Sequence, residues 1–295
     1  MECVSKKKIV FIYQNDPVDR WALSASSAAV NHPVTELTNE SPTLTWRSTA
    51  GAGPQWVEGI SPGATSDQII DSIAIVNHNC SDLATVQIQM WEIGGASVYN
   101  QTFSMVNYSV AAGSKTINKI RPYKTRVLYP VTSGPIPHRW RLTFFDPSGT
   151  GTTFFEIGRL IIGTKFQPSN DFVDGSGDIY PIDGSRISES YGGNQFSDNR
   201  PKKRGCTIQP SVSLNPLDVP EWFNLLHAVG KRGVIVVDPW PKFDNSSWLL
   251  ASDAPAAFFN LASQIYGRQI GNVTIAKIND QTSKMNGKID IVEAL

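Results

Sequence analysis

The chain has 295 residues, 40% of them hydrophobic and 18% charged, with 26 Lys and Arg against 26 Asp and Glu. That much apolar material builds a core in one or two domains, and the even charge balance argues against a nucleic-acid coat, a polybasic membrane anchor or an acidic tail. Cys3, Cys80 and Cys206 are too scattered for a disulfide framework or a zinc site, and no apolar stretch approaches the ~18 residues of a membrane span.

The chain also carries 23 Gly, 19 Pro, 13 Phe, 8 Trp and 8 Tyr, a mixture that favours many short strands and long loops over helices. Ile9 to Tyr13 reads as a first strand ended by Asp16-Pro17. This apolar run is too short for a secretory signal core, so synthesis and folding in a cytosol are expected. Residues 22 to 43, rich in Ala, Ser, Thr and Asn, have no period and read as extended chain and loops. Trp46 to Thr49 and Gln55 to Gly59 flank a Gly51-Ala52-Gly53-Pro54 turn. Ile73 and Ile75 share one side of the segment Asp71 to Asn79. Thr85 to Glu92 alternates cleanly, with Val86, Ile88 and Met90 inward and Gln87, Gln89 and Trp91 outward, the mark of a half-buried strand. Strands at 99–108, 125–129, 138–145 and 153–163 complete an antiparallel sandwich.

Residues 167 to 199 crowd Pro, Asp and Gly and read as a linker or extended excursion. Arg200 to Arg204 is a short basic run, either a solvated turn or a phosphate contact. The one clear helix spans 218–229. Asp218 and Glu221 fit an N-cap and its capping-box partner, and Pro220 lies in the first turn. Trp222, Leu225, Leu226 and Val229 make one apolar face, and Gly230 closes the helix. Val234 to Val237 is a buried strand, and strands near 264–267, 272–278 and 288–293 follow. The fold expected is mainly β: a jelly-roll β-sandwich over 20–166 and a second, small β-sandwich or sheet domain over 200–295 with one packed α-helix. Residues 1 to 19 supply a first strand to that second domain, placed near Ile289 to Glu293 because chain ends often lie close together.

Signs of catalysis are sparse. His32, His78, His138 and His227 belong to no HExxH motif, there is no GxSxG elbow, and no glycine-rich phosphate loop follows a strand. His227 suits the last helical turn, where it answers terminal carbonyls. Asp171, Asp174, Asp178 and Asp183 lie in a Gly-rich stretch of the kind a hard cation favours, but their spacing is not that of an EF-hand loop, and a plain polar linker explains them too. No metal ligand set, cofactor or catalytic residue is assigned. Trp46, Trp56 and Trp91 serve either as packing or as platforms for a sugar ring, with Arg47 beside them for hydrogen bonds. Asn77-His78-Asn79 ends a strand at a loop rim. The ligand-binding candidates are therefore Trp46, Arg47, Asn77, His78 and Asn79. Trp240, Phe243, Trp248, Phe258 and Phe259 crowd one loop-like segment, 238–263, whose apolar character suits a subunit contact or an arm folded back on its own domain.

The order Trp46-Arg47-Ser48-Thr49, Asp71 to Asn79, then Phe155 to Gly163 resembles galactose-binding-like (discoidin-type) jelly rolls, most of all those in tail proteins of tailed phages. The later order of a basic run, the Glu221 to Leu226 helix, Val234 to Pro239 and a terminal Ile289 to Glu293 resembles the ring domain of distal tail (baseplate hub) proteins. The resemblance implies a structural, non-enzymatic virion component made in the host cytoplasm. It would form a cyclic ring, a hexamer, at the distal end of the tail tube. Its partners would be copies of itself, tail tube and baseplate hub proteins, and host surface glycan met by the lectin-like domain, with no nucleic acid and no membrane span. The alternatives are a capsid or neck decoration protein, a carbohydrate-binding module outside a virion, and a polysaccharide-degrading enzyme.

Overall fold

The computed structural model describes residues 9–13, 15–51, 53–63, 69–81, 83–105, 125–130, 136–147, 154–169, 178–189, 195–198, 203–209, 217–230, 233–239, 264–270, 274–277, 283–286 and 289–294. The first half contains β1 (Val10–Ile12), the single-turn α1 (Asp16–Asp19), β2 (Ala22–Ala25), a 3-10 turn (Val34–Thr38), β3 (Trp46–Arg47), β4 (Gln55–Ile60) and β5 (Ser72–His78). It continues with β6 (Thr85–Trp91), β7 (Ser97–Ser104), β8 (Thr125–Leu128), β9 (Arg139–Phe145), β10 (Glu156–Gly163) and β11 (Lys165–Phe166). The second half contains β12 (Asp178–Ile182), β13 (Arg186–Glu189), β14 (Gln195–Asp198), β15 (Lys203–Ile208), α2 (Val219–Val229) and β16 (Val234–Asp238). It ends with β17 (Ile265–Ile270), β18 (Thr274–Lys277), β19 (Ser283–Asn286) and β20 (Ile289–Glu293). The protein is mainly β.

Three sheets dominate, ordered β2-β4-β9-β6-β7, β3-β10-β5-β8 and β11-β1-β16-β17-β20-β15-β12. The pairings within them are antiparallel. The five- and four-stranded sheets enclose the largest core, which holds Trp46, Val57, Ile73, Ile75, Val86, Ile88, Met90, Trp140, Leu142 and Phe144. Period-2 alternation puts these residues on one face of each strand. The outer face of the four-stranded sheet is also apolar. Its Ala74, Val76, Val127, Tyr129 and Ile161 pack on Val10, Ile12, Val236 and Tyr266 of the seven-stranded sheet. The far face of that sheet, with Phe11, Phe166, Ile235, Val237, Ile265 and Ile291, receives Trp222, Leu225 and Val229 of α2. The molecule is thus a stack of sheet, sheet, sheet and helix. The two inner sheets are covered on both sides, which is why Ile73 to Val76 and Val234 to Val237 read as unbroken apolar runs.

A buried polar junction joins the two inner sheets. The Tyr129 hydroxyl donates to Asp238 Oδ2 at 2.8 Å, and Gln264 Nε2 donates to the same oxygen at 3.3 Å. Gln264 Oε1 accepts the Val127 amide at 3.0 Å. Arg126, 1% exposed, lies beside them with its pKa lowered to about 10, chiefly by burial. Removal from water pushes the Tyr129 phenol well above its usual range, and the neighbouring Asp238 charge adds to this.

The structure departs from the sequence expectations in three places. Residues 167–199, read as a linker, contain β12, which pairs with β15 and forms one edge of the seven-stranded sheet, and the hairpin β13–β14. Pro181 disguised that strand; at an edge a proline removes no ladder bond that the sheet needs. The first strand pairs with β11 and β16, so β20 lies three places away from it in the same sheet. The capping box of α2 does not form. Asp218 instead accepts the Ser169 amide at 2.6 Å and its hydroxyl at 2.8 Å, and Glu221 accepts the Tyr13 hydroxyl at 2.6 Å. Both carboxylates therefore tie the helix to other segments. Cys80 and Cys206 are buried in different cores.

Candidate functional site

The site forms where β3 meets the start of β10. Their register places Arg47 opposite Glu156 and Trp46 opposite Ile157. Successive side chains of a strand point to opposite faces, so in this two-residue strand one goes in and one goes out. Trp46 goes in: it is fully buried, and its indole N–H donates to Ser27 O at 3.0 Å. Arg47 goes out, with about a third of its side chain exposed. Its Nη2 reaches Glu156 Oε1 at 3.1 Å, and its guanidinium lies 4.3 Å from the centroid of the Phe154 ring.

Two further groups extend this pair. The Thr45 hydroxyl donates to Glu156 Oε1 at 2.6 Å. His32 Nδ1 lies 3.0 Å from the Thr45 carbonyl and 3.1 Å from its hydroxyl oxygen. A carbonyl only accepts and the hydroxyl proton goes to Glu156, so Nδ1 carries the proton. In a neutral ring Nε2 is then an acceptor. The loop end presents guanidinium N–H donors, an imidazole acceptor, a carboxylate acceptor and an aromatic ring within one small patch.

The strand β5 holds this patch in place. Asn79 brackets the start of β10: its Nδ2 donates to Phe154 O at 2.8 Å, and its Oδ1 accepts the Glu156 amide at 2.8 Å. Asn77 adopts φ 55°, a left-handed conformation that Asn tolerates better than most residues, and its Nδ2 donates to Pro42 O at 2.5 Å. Gly158 lies beneath the same segment, where an added Cβ would come within 2.1 Å of Pro42 O. These contacts fix the 41–47 segment against β10.

Of the five residues expected at the rim, Arg47 is in the patch, and Asn77 and Asn79 position it. Trp46 and His78 are corrections. Trp46 is core, and His78, 4% exposed, sits inside β5 opposite Ile157. His32, Thr45, Phe154 and Glu156 join the patch without having been expected there from the sequence. No local signal marks the Arg47–Glu156 pair, because it exists only through the register of a two-residue strand with β10. His32 and Phe154 lie on loops and give no periodic signal. Trp240, Phe243, Trp248, Phe258 and Phe259 lie outside the described residues, as do Asp171 and Asp174. Asp178 begins β12 and Asp183 accepts the Ser185 amide, so the acidic stretch is not a single loop. Among the described residues no cluster of His, Cys, Asp and Glu is suited to a metal ion.

A second concavity, about 600 Å³, lies between the sandwich and α2 and is lined by Tyr13, Asp16, Asp19, Glu40, Arg159 and His227, among others. Its carboxylates are answered within the chain: Asp19 by Arg159 at 2.9 Å, Glu40 by Arg268 at 3.1 Å and Asp16 by Arg20 at 3.2 Å. Of these pairs Glu40–Arg268 joins the sandwich to the seven-stranded sheet, and the other two stay within the sandwich side.

Comparison with solved structures finds similar folds over about half of the chain. Chitosan-binding module 1 of a chitosanase/glucanase from Paenibacillus sp. IK-5 is 16% identical, covering 52% of this chain and 100% of that one, with a TM-score of 0.36. A family 32 carbohydrate-binding module of NanJ from C. perfringens, solved with galactose, gives 16%, 52%, 100% and 0.36. The lectin domain of lectinolysin, complexed with Lewis B antigen, gives 10%, 51%, 97% and 0.36. This is a similarity of fold alone. No protein-family model and no curated protein matches the chain.

Proposed function

We propose that the chain is a carbohydrate-recognition protein whose sandwich binds a glycan at the loop end formed by His32, Arg47, Phe154 and Glu156. One observation carries this: a chain of hydrogen bonds runs His32–Thr45–Glu156–Arg47 beside a half-exposed aromatic ring. A sugar presents neighbouring hydroxyls that each donate and accept, and an apolar C–H face. Arg47 supplies charge-assisted donors, Glu156 and His32 supply acceptors, and the Phe154 ring supplies a surface for the C–H face. The intramolecular bonds hold these groups in geometry before a ligand arrives, which lowers the ordering cost of binding. The function is recognition, with no bond cleaved.

The experiment is calorimetric titration of the full chain with galactose and with chitosan oligomers, sugars of the kinds that the similar modules are named for. Arg47→Ala and Glu156→Gln should each weaken binding by about tenfold or more, the loss of one charge-assisted bond. A folded chain that bound no saccharide, or variants that bound like the parent, would end this assignment.

The resemblance to tail proteins supports a location for this recognition, as one subunit of a hexameric ring at a virion tail tip. The seven-stranded sheet has β11 and β12 at its two edges, where a neighbouring subunit could pair. Native mass measurement of the full chain should then give six copies. A monomer would remove the ring and leave the glycan site standing.

A further inference from the structure

The outer face of the five-stranded sheet is built unlike an ordinary solvated strand surface. Registers across it align Glu58, Arg141 and Gln89 in one row, and Ile60, Arg139 and Trp91 in the next. Trp56, Thr143 and Gln87 form a third row. All of these side chains lie opposite the core-facing Val57, Leu142 and Ile88. The Arg139 guanidinium stacks 4.7 Å from the Trp91 ring, and that of Arg141 lies 4.5 Å from Trp56 and 5.9 Å from Trp91. Glu58, with 7% of its side chain exposed, holds both arginines through one oxygen, Oε2, at 2.5–2.8 Å.

Two guanidiniums and one carboxylate leave the strip with a net charge of +1. The neighbours Gln87, Gln89, Asn100 and Thr143 are neutral, and Gln87 donates to Asn100 at 2.9 Å. Glu58 uses the Nε and Nη2 edges of both arginines. The remaining Nη1 groups have no acceptor among the described residues, and about a third of each arginine side chain is exposed. Among the described residues no other sheet packs on this face. The arginines are therefore held flat by indoles and anchored from below by a buried acid, with their free N–H groups directed away from that acid. This is a preorganised fork for an anionic oxygen group.

We propose that this face is a second binding surface, for an acidic polysaccharide bearing carboxylate or sulfate groups, distinct from the loop-end site. The amide and hydroxyl side chains beside the arginines suit the hydroxyls of such a chain. Four strands at about 4.8 Å spacing make the strip about 14 Å across, longer than a single sugar ring. A net charge of +1 is too small for the multiple phosphate contacts of nucleic-acid binding.

The test is affinity electrophoresis of the full chain through gels containing polygalacturonate, dextran sulfate, neutral dextran or single-stranded DNA, at low and ~0.3 M salt. At least one of the two acidic polysaccharides should retard the chain, and salt should weaken the retardation. Which one does so identifies the anionic group. The double variant Arg139→Gln/Arg141→Gln should bind at least about tenfold more weakly, and Glu58→Gln, which raises the strip from +1 to +2, severalfold more tightly. Gln89→Glu, nearly isosteric and opposite Arg141, should also weaken binding about tenfold, and it serves if the double variant does not fold. Galactose titration of the same variants reads the loop-end site separately. Retardation no greater than in neutral dextran would overturn the proposal. So would DNA binding of equal strength, or Gln89→Glu behaving like the parent.

Discussion

The junction between the two inner sheets yields a sharp quantitative expectation. Tyr129→Phe removes one oxygen from a residue that is 2% exposed and leaves the apolar packing of Val10, Val76 and Val236 around the ring in place. What is lost is a 2.8 Å hydrogen bond to the Asp238 carboxylate, itself 1% exposed. A bond to a charged buried group contributes about 1.5–3 kcal/mol. Gln264 also donates to this carboxylate, at 3.3 Å, and stays in place. We therefore expect Tyr129→Phe to cost about 1.5–3 kcal/mol, measured from urea midpoints at constant slope. In an Asp238→Asn background the same substitution should cost at least about 1 kcal/mol less, because the charged acceptor is already gone. A cost below about 0.5 kcal/mol, or strict additivity of the two substitutions, would refute the view that this bond links the sheets.

Three further outcomes are expected. Because the Tyr129 phenol titrates above its usual range, the folded state keeps its proton longer than the unfolded chain does. Stability from this group is present below about pH 10 and falls above it, so the alkaline loss seen in denaturation between pH 8 and 11 should be shallower in Tyr129→Phe than in the parent. Gly158→Ala would place a methyl 2.1 Å from Pro42 O, displace the 41–47 segment, and lower both the melting temperature and saccharide affinity; unchanged calorimetric binding would mean that this segment does not position Arg47. Leu225→Ala, at a position 2% exposed between α2 and the seven-stranded sheet, should cost about 2–5 kcal/mol by chemical denaturation.

Alternation made β6 legible: Val86, Ile88 and Met90 are buried and their neighbours half-buried, as its period-2 pattern requires. The apolar face of α2 was equally plain, because Trp222, Leu225 and Val229 recur at helical spacing. Two kinds of information were hidden. The phase of a two-residue strand cannot be set by period, so nothing local told whether Trp46 or Arg47 faced the core. The second burial surface of the four-stranded sheet was also hidden. In β5, Ile73 and Ile75 announced one core, but Ala74 and Val76 meet a different partner, more than 150 residues away at Val236. The site shares this difficulty, since His32, Arg47 and Glu156 meet only because β3 and β10 pair across more than 100 residues.

The pairing of Phe11 with Phe166 makes β1 and β11 neighbours in the seven-stranded sheet. Everything between them, the whole sandwich, is in topological terms one very long hairpin loop. A load applied at the loop end would therefore not stretch a tether. Both chain exits enter the same sheet side by side, and the layer of Ala74, Val76, Ile161 and Tyr266 would have to slide or peel before those exits took the load. The sandwich behaves mechanically as a bracket bolted flat to its base, and cutting it free at 20 and 166 would expose a greasy sheet face as well as two new ends.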